Sequence, residues 1–301
     1  MPAQTSTTPT LRHGSPVVVL FAPLAFGALA ALAAGPFLPP FLWMWTLSVA
    51  VFAGFKWATF AQTCLLPGRA VPRRRTLIYL LLWPGMDAYG FLFVAPPRPN
   101  RGRVWTFACV KTVFGAGLFW GVARWMGGGL LTGWIGMVGM IFLLHFGSFD
   151  LLARFWQSRG FDAEPLMHNP VRSASLGEFW GRRWNSGFRD LVFGLWFARL
   201  KGKLGARGAT LVLFLFSGVV HDLVISVPAR GGYGWPTAYF TLQGAGLLLE
   251  HARGSALARW RGHWPGRLWT WAMVAGPAFW LFHPPFVHRV ILPFMRAVYA
   301  L

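Results

Sequence analysis

The chain has few charged residues, and acidic ones are especially scarce. Charged types make up 12 % of its 301 residues and include only 8 Asp and Glu, against roughly 25 % charged residues in an ordinary soluble domain. Hydrophobic types make up 55 %. A soluble protein of this composition would aggregate, so the scarcity of charge excludes that class and indicates a chain that crosses a bilayer several times.

Cysteine and the common cofactor motifs are also scarce or absent. The two cysteines, Cys64 and Cys109, lie far apart in apolar surroundings, so we expect no disulfide and no metal site. The sequence contains no Walker motif, no dinucleotide fingerprint and no zinc-ligand spacing. The glycine run at 127–129 lacks the Lys and Ser/Thr of a phosphate loop and is read as a turn.

Long apolar windows are what the chain has in abundance. They cover 16–34, 37–55, 104–125, 130–152, 208–227, 236–252 and 268–283, and each approaches the ~20 residues that cross a bilayer. The window at 76–95 is interrupted by Pro84, Gly85 and Asp87, which indicates a kinked or re-entrant element. The windows predict an all-α polytopic membrane protein with about 7–9 transmembrane or re-entrant helices. We expect residues 1–15 to be a disordered tail and 16–301 to form one integral membrane domain.

The net charge of +20 is attributed to the positive-inside bias of membrane proteins, and no nucleic-acid partner is expected. Basic residues concentrate in predicted loops: Lys56, Arg69 and Arg73 to Arg75 fill the first, and further basic stretches cover 98–103, 154–207 and 253–267. The stretches 126–129 and 231–236 carry no charge. Glu250 ends an apolar window and is expected to meet the basic loop that begins at Arg253. If 76–95 enters and leaves on one side, every basic stretch lies on the cytoplasmic face. The Arg/Ala/Gly bias favours a bacterial inner membrane.

A central segment combines aromatic and polar residues. Ser175 followed by Glu178 is a capping-box pattern, so a helix is predicted to start near Leu176. One face of that helix carries apolar residues, Trp180, Trp184, Phe188 and Leu191. The opposite face carries polar residues, Glu178, Arg182, Asn185 and Arg189. Glu178 and Arg182 are spaced to pair. The segment is either an interfacial helix or a frame that orients Asn185 as a hydrogen-bonding group.

A basic flank and one histidine accompany this segment. The flank consists of Arg189, Arg199, Lys201, Lys203 and Arg207. It would attract an anionic lipid surface or the phosphates of a substrate such as coenzyme A. His168 stands in a His-Asn-Pro turn, where a loop role is favoured over substrate contact.

His221 lies within an apolar run that should cross the membrane. Such a histidine is either a hydrogen-bonding residue between helices or a functional group, and in the second case a general base. Asp222 is adjacent, but neighbouring helical residues point about 100° apart, so it is not automatically a partner. Ser217 lies one turn earlier on the same face and is expected to fix the ring tautomer. The histidines at 145, 251, 283 and 288 are expected to be interfacial or packing residues.

The motifs resemble a known family. Residues 175–185, hereafter the signature segment, read Ser-Leu-Gly-Glu-Phe-Trp-Gly-Arg-Arg-Trp-Asn and closely resemble the signature of the wax-synthase-like branch of the membrane-bound O-acyltransferase superfamily. Residues 217–222, Ser-Gly-Val-Val-His-Asp, are similar to the Ser-Gly-x-x-His-Glu that follows in the family, with Asp in place of Glu. The aromatic run at 235–244, ending in Gln-Gly, and Glu250 also look like the family pattern. The resemblance is specific over about 165–255.

The resemblance implies a multi-helix fold around a buried reaction chamber, with acyl transfer from acyl-CoA to the hydroxyl of a lipophilic alcohol. It makes His221 the catalytic histidine and Asn185 the second invariant polar residue. Supporting positions are Asp222, Ser217, Glu178, Arg182, Arg183 and Trp184. The candidate acyl-CoA contacts, taken from the basic flank and the adjacent loop, are His168, Arg189, Lys201 and Lys203. No metal or cofactor is implied beyond acyl-CoA as co-substrate.

Wax-ester synthesis leads these hypotheses, and three alternatives stay open. The acceptor is a long-chain alcohol in the leading reading and a sterol, terpenoid or other small alcohol in the first alternative. A proton-coupled transporter using His221 and Asp222 is a second, disfavoured because 76–95 has no broken counterpart in the other half of the chain. A non-catalytic scaffold that binds acyl lipids is the third.

Overall fold

The computed structural model describes residues 17–66, 70–94, 103–252 and 254–301, and this part of the chain is helical with no β-strand. The all-α prediction is therefore confirmed. The predicted disordered tail lies outside the described residues. In chain order the helices are α1 (Val17–Phe37), α2 (Pro40–Cys64), α3 (Arg73–Leu82), α4 (Ala88–Phe93), α5 (Val104–Trp125), α6 (Leu130–Ser158), α7 (176–183), α8 (Ser186–Ala229), α9 (Trp235–Glu250), α10 (Ala256–Trp260), α11 (Trp264–Ala275), α12 (Ala278–Leu281) and α13 (284–297).

Five helices of the described residues are long and apolar enough to cross a membrane, namely α1, α2, α5, α6 and α8. Their large apolar side chains point outward in many places: Phe26 is 78 % and Trp125 is 89 % exposed. Such exposure suits a lipid-facing surface and not water. The apolar windows at 236–252 and 268–283 form the shorter helices α9, α11 and α12.

The predicted interruption of the 76–95 window is present. Residues 83–87 are non-helical between α3 and α4, and Asp87 caps α4 by accepting the Gly90 N–H at 2.9 Å. Trp83 stacks on Phe91 with ring centroids 5.9 Å apart, so the two halves fold onto each other. The re-entrant placement depends on the bilayer and stays a prediction.

Lys56 corrects one expectation, because it does not lie in a basic loop. It lies inside α2 with 1 % of its surface exposed. Its Nζ donates to the Gly85 carbonyl and lies 3.3 Å from the centroid of the Tyr79 ring. The break at 83–87 leaves that carbonyl without a helical partner, and the carbonyl and the ring together provide the contacts that a buried amino group requires.

Helix α8 is a hairpin of two arms. The Trp196 and Phe216 ring centroids are 4.8 Å apart, whereas twenty residues of straight helix span about 30 Å. The reversal occurs at Gly205, whose backbone is non-helical with φ 69°, a value that glycine adopts without strain. Phe55 of α2 contacts both rings and so packs the arms together.

The hairpin determines which functional residues lie at the same level. Trp196 facing Phe216 places His221 level with Leu191, about 9 Å along the axis from Asn185. Leu191 is buried in one apolar cluster, and Val220 packs against it, as this register requires. The basic stretch predicted over 154–207 is thereby divided, because Gly205 lies about 24 Å along the axis from His221.

Candidate functional site

The first turn of α7 is held by side chains from both sides. As predicted, Ser175 is its N-cap and accepts the Glu178 N–H at 3.0 Å. Glu178 accepts the Ala174 N–H at 2.8 Å. The N–H groups of Leu176 and Gly177 donate to Glu250 at 2.9 and 3.1 Å. These donors have no partner inside a helix, so the added carboxylates fix where α7 begins.

Glu250 differs from the sequence-based expectation that it meets the basic loop near 253. It is fully buried at the end of α9, and both of its carboxylate oxygens accept backbone N–H groups of α7. A carboxylate at a helix N-terminus is favoured by the free N–H groups there. The end of α9 is therefore joined to the start of α7.

The predicted single amphipathic helix over 176–191 is wrong, because the chain breaks at Asn185. Asn185 has φ 46° and is the N-cap of α8, where its Oδ1 accepts the Phe188 N–H at 3.1 Å. Asparagine tolerates this left-handed conformation and offers an acceptor to free helical N–H groups. Local hydrogen bonding thus competes with helix continuation, and Asn185 does not share a helical face with Glu178.

The predicted Glu178–Arg182 pair is replaced by a Glu178–Arg183 pair. The guanidinium of Arg183 lies 2.6 Å from Glu178 Oε1, and Arg182 is exposed. Residues 179–183 form a π turn, so a spacing of five aligns side chains there. Burial raises the pKa of Glu178, but hydrogen bonds from Ala174 and Arg183 outweigh it and hold that pKa below its usual range.

Arg183 also joins α7 to the loop that contains His168. It donates to the His168 carbonyl at 3.0 Å, and the His168 N–H donates to the Arg183 carbonyl at 2.8 Å. The His168 Nδ1 atom is buried and has no partner in the described residues. Burial lowers the pKa of His168, which Arg189 and Arg154 lower further. This ring therefore favours its neutral form beside the signature segment.

The aromatic residues of α7 serve two different contacts. Trp184 stacks on Phe179 with centroids 5.4 Å apart. The Trp180 indole donates to Gln243 of α9 at 3.2 Å, and Gln243 in turn donates to the Met273 carbonyl at 2.6 Å. Because the chain breaks at Asn185, the predicted apolar stripe is divided: Trp180 lies in α7, whereas Phe188 and Leu191 lie in α8.

His221 has one ring nitrogen engaged and one free. Its Nδ1 lies 2.7 Å from the Ser217 backbone carbonyl. A carbonyl only accepts, so Nδ1 carries the proton of the neutral ring and Nε2 keeps its lone pair. Within the described residues Nε2 has no hydrogen-bond partner. Ser217 thus orients the ring through its backbone and not through its hydroxyl.

Asp222 makes no hydrogen bond to His221. Its Oδ1 accepts from Ser226 at 2.8 Å and from the Gly234 N–H at 2.9 Å. Its Oδ2 accepts the Thr237 N–H at 3.0 Å and the Thr237 hydroxyl. Asp222 therefore holds the first turn of α9, in agreement with the caution drawn from helical geometry.

Helix α9 is the element that connects the two motifs. Its first turn donates hydrogen bonds to Asp222, and its last residue, Glu250, accepts hydrogen bonds from α7. Between these ends, Phe240 packs its ring 4.3 Å from that of His221 and 5.6 Å from that of Trp180. The sequence by itself predicts no contact for Phe240 or Gln243, although both lie in the aromatic run that carries the resemblance. The structure thus joins the signature segment to His221 through one helix.

The candidate acyl-CoA contacts fall into two groups. His168 and Arg189 lie at the signature segment, where Arg189 pairs with Asp190 at 2.6 Å. Lys201 and Lys203 are exposed beside Gly205, at the other end of the hairpin. The described residues contain no group of three His, Cys, Asp or Glu side chains that could hold a metal ion.

Comparison with known proteins points to one family. Residues 163–242, which include Asn185 and His221, match the membrane bound O-acyl transferase family. The chain is 32 % identical over 146 residues to a long-chain-alcohol O-fatty-acyltransferase of Simmondsia chinensis, covering 43 % of this chain and 40 % of the relative. It is 33 % identical over 144 residues to the probable long-chain-alcohol O-fatty-acyltransferase 9 of Arabidopsis thaliana, covering 42 % and 41 %. It is 29 % identical over 223 residues to the probable long-chain-alcohol O-fatty-acyltransferase 6 of Arabidopsis thaliana, covering 67 % of this chain and 62 % of the relative.

These matches confirm the resemblance to the wax-synthase-like branch. The chain spans about two fifths of the length of the first two relatives. Together with the long apolar helices, the matches indicate an integral, multi-pass membrane protein. The relatives are plant proteins, so they give no support to a bacterial inner membrane.

Proposed function

We propose that this chain, whose residues 163–242 match the membrane bound O-acyl transferase family, transfers a fatty acyl group from acyl-CoA to the hydroxyl of a lipophilic alcohol. The observation that carries the proposal is the His221 imidazole, with Nδ1 held by the Ser217 carbonyl and Nε2 free. The relatives are named for long-chain alcohols, so a long-chain alcohol is the first acceptor to test.

His221 acts as the general base in this proposal. Its Nε2 takes the hydroxyl proton of the acceptor while the alcohol oxygen attacks the thioester carbonyl. A C–O bond forms, and the carbonyl electrons move onto oxygen. When the intermediate collapses, the C–S bond breaks and the coenzyme A thiolate takes the proton from His221. The ester and free coenzyme A leave, and His221 returns to its starting state.

Asn185 is the proposed hydrogen-bond donor to the carbonyl oxygen. Its Oδ1 is occupied by the Phe188 N–H, so the amide orientation is set and its NH₂ group stays available. A donor aimed at a developing oxyanion typically contributes ~10²–10³ in rate. The hairpin register of α8 supports this role, because Asn185 lies about 9 Å along the axis from the level of His221.

We further propose that the coenzyme A headgroup enters at the signature segment, where His168 and Arg189 lie, and that the basic loops face the cytoplasm. Arg182 is exposed at this end, and arginine binds phosphate by paired hydrogen bonds. Lys201 and Lys203 would then act only at long range, because they lie beside the bend of the hairpin.

The direct test uses the purified full chain in lipid nanodiscs. Radiolabelled palmitoyl-CoA is supplied with a long-chain alcohol, a sterol or a terpenoid alcohol, and ester is measured. We expect ester from at least one acceptor, with equimolar release of coenzyme A. No ester from any acceptor, combined with proton-coupled solute uptake in proteoliposomes, would favour the transporter alternative.

A further inference from the structure

His283 is a buried histidine that lies outside the segment matching the family. It is 0 % exposed at the start of α13, and its ring meets that of Trp235 edge-on at 6.1 Å. The sequence suggests only an interfacial or packing role for it. Its hydrogen bonds define a more specific one.

The protonation pattern of His283 follows from its partners. The Phe286 N–H is shared between the His283 carbonyl, at 2.9 Å, and His283 Nδ1, at 3.2 Å. That nitrogen therefore carries no proton, and the neutral ring has its proton on Nε2. Nε2 lies 3.1 Å from the Ser226 hydroxyl oxygen, so His283 donates to Ser226. This tautomer is the reverse of that of His221.

Ser226 connects His283 to the carboxylate of Asp222 through a second hydrogen bond. It is fully buried, and its oxygen lies 2.8 Å from Asp222 Oδ1 and 3.1 Å from the Gly232 carbonyl. With its lone pair occupied by His283, the hydroxyl donates, and a charged carboxylate is the stronger acceptor. His283 Nε2 already carries a proton and cannot accept that of Ser226. The three residues therefore do not form a nucleophile–base pair.

Asp222, the last residue of this chain of hydrogen bonds, holds α8 and α9 together. Asp222 accepts from Gly234 and Thr237 in the first turn of α9. The helices approach closely at Gly218, where a Cβ atom would lie 2.7 Å from Thr237 Cα. One turn farther along α9, the Phe240 ring packs on His221. A π turn over Asp222–Ser226 follows His221 directly, a local irregularity that is frequent at functional sites.

We propose that His283 is a positioning residue for His221: through Ser226 and Asp222 it holds the first turn of α9, and with it Phe240, against the imidazole. This inference rests on the proposed function, because it concerns the orientation of the general base. His283 does not contact substrate. It acts through the tautomer that the Phe286 N–H imposes on it.

The kinetic test compares single and double variants in nanodiscs. His283→Ala and Ser226→Ala are each expected to lower kcat about 10- to 100-fold with little change in KM, as small misplacements of a catalytic group do. The double variant is expected to be no slower than the worse single, because both act through one connection. His283→Gln keeps a donor and an acceptor and should retain most of the activity.

The matched control is His288→Ala, an exposed histidine on the same helix, which should leave kcat unchanged. Losses that multiply in the double variant would overturn the proposal. Equal losses in His283→Gln and His283→Ala would also overturn it, because they would reduce His283 to packing. If His283→Ala does not fold, Ser226→Ala removes one oxygen only and carries the test.

A spectroscopic readout separates this inference from the proposed function. Nitrogen NMR of ¹⁵N-histidine protein should find the proton on Nδ1 in His221 and on Nε2 in His283, with assignment by the His221→Ala and His283→Gln variants. Ser226→Ala is expected to shift the His221 signals. Unchanged His221 signals would overturn the positioning role. If the wild-type chain forms no ester with any acceptor, the proposed function fails while these spectra still decide the inference.

Discussion

The two ends of the α8 hairpin are built from the same chain but differ in every physical respect. At the motif end, which carries Asn185 and His221, polar groups are held by hydrogen bonds within α8 and from the start of α9: Asp222 accepts from Ser226 of α8 and from Gly234 and Thr237. At the bend around Gly205, residues 201–207 are exposed. The basic side chains there make no ion pair with the described residues.

This difference teaches where geometry matters and where only charge matters. A group held by several hydrogen bonds in a low-dielectric surrounding keeps one orientation, which catalysis requires. An exposed lysine on a helix end keeps its charge but not its direction, and salt screens it. Substitutions at the motif end should therefore have larger effects than substitutions at the bend.

Removing the proposed base should cause the largest loss. His221→Ala is expected to lower ester formation by about 10²–10⁴-fold, because general-base catalysis contributes that much. The measurement is turnover with labelled acyl-CoA in nanodiscs, with expression and membrane topology checked in parallel. Full activity in His221→Ala would remove the mechanism.

Two substitutions of Asn185 should distinguish its role as a helix cap from its role as a hydrogen-bond donor in the reaction. Asn185→Ala loses both the cap, worth about 1 kcal/mol, and the NH₂ donor, whereas Asn185→Asp keeps a capping oxygen, loses the donor and adds a negative charge. Both variants are expected to lower kcat about 10²–10³-fold, and only Asn185→Ala to lower the melting temperature. Asn169, which has a similar φ of 50°, supplies the matched Asn169→Asp control. Unchanged turnover with lost acyl-CoA binding would make Asn185 a substrate clamp.

The Glu178–Arg183 pair should make stability depend on pH by a smaller amount. The pKa of Glu178 is lowered in the folded protein, so the unfolded state binds the proton more readily. The stabilisation, at most about 1 kcal/mol for a partly exposed pair, is complete above the unfolded pKa. It is lost as pH falls through the lowered folded value. Thermal unfolding across that range should find the loss in the wild type and not in Glu178→Gln.

The bend should give the smallest effect. A Lys201→Ala and Lys203→Ala double variant is expected to change stability by no more than about 0.5 kcal/mol and to leave kcat unaltered. Any rise in KM for acyl-CoA should disappear at high salt, where long-range attraction is screened. Arg189→Ala, at the motif end, is the comparison. A larger KM effect from the lysines than from Arg189 would place coenzyme A at the bend.

The fold class and the identity of the candidate residues followed from sequence because their signals are local. Apolar windows predicted the long helices, and the break at 83–87 followed from proline and glycine. Ser175 as a cap required only its own neighbours. The prediction of a continuous helix over 176–191 was wrong. It rested on the periodic spacing of apolar and polar side chains, which carries no information about the left-handed backbone that Asn185 adopts.

Contacts between distant segments could not be predicted. Lys56 was expected in a loop, yet its Nζ donates to the Gly85 carbonyl and lies against the Tyr79 ring. Glu250 was expected near the basic loop, yet it accepts from Leu176 and Gly177. In each case the deciding partner is far away in the chain, and a buried charge is tolerated only where the tertiary structure supplies one.

Sequence alone determined that this is a helical membrane chain and that residues 175–185 resemble the signature of an acyltransferase family, a resemblance that makes His221 and Asn185 the leading candidates. Composition and short motifs suffice for that, because solubility and local hydrogen bonding depend on residue type and spacing. The tertiary structure decided that Gly205 folds α8 back, that α9 joins the signature segment to His221, and that Asp222 serves α9. These relations depend on which side chains meet across the fold, and no local pattern records that.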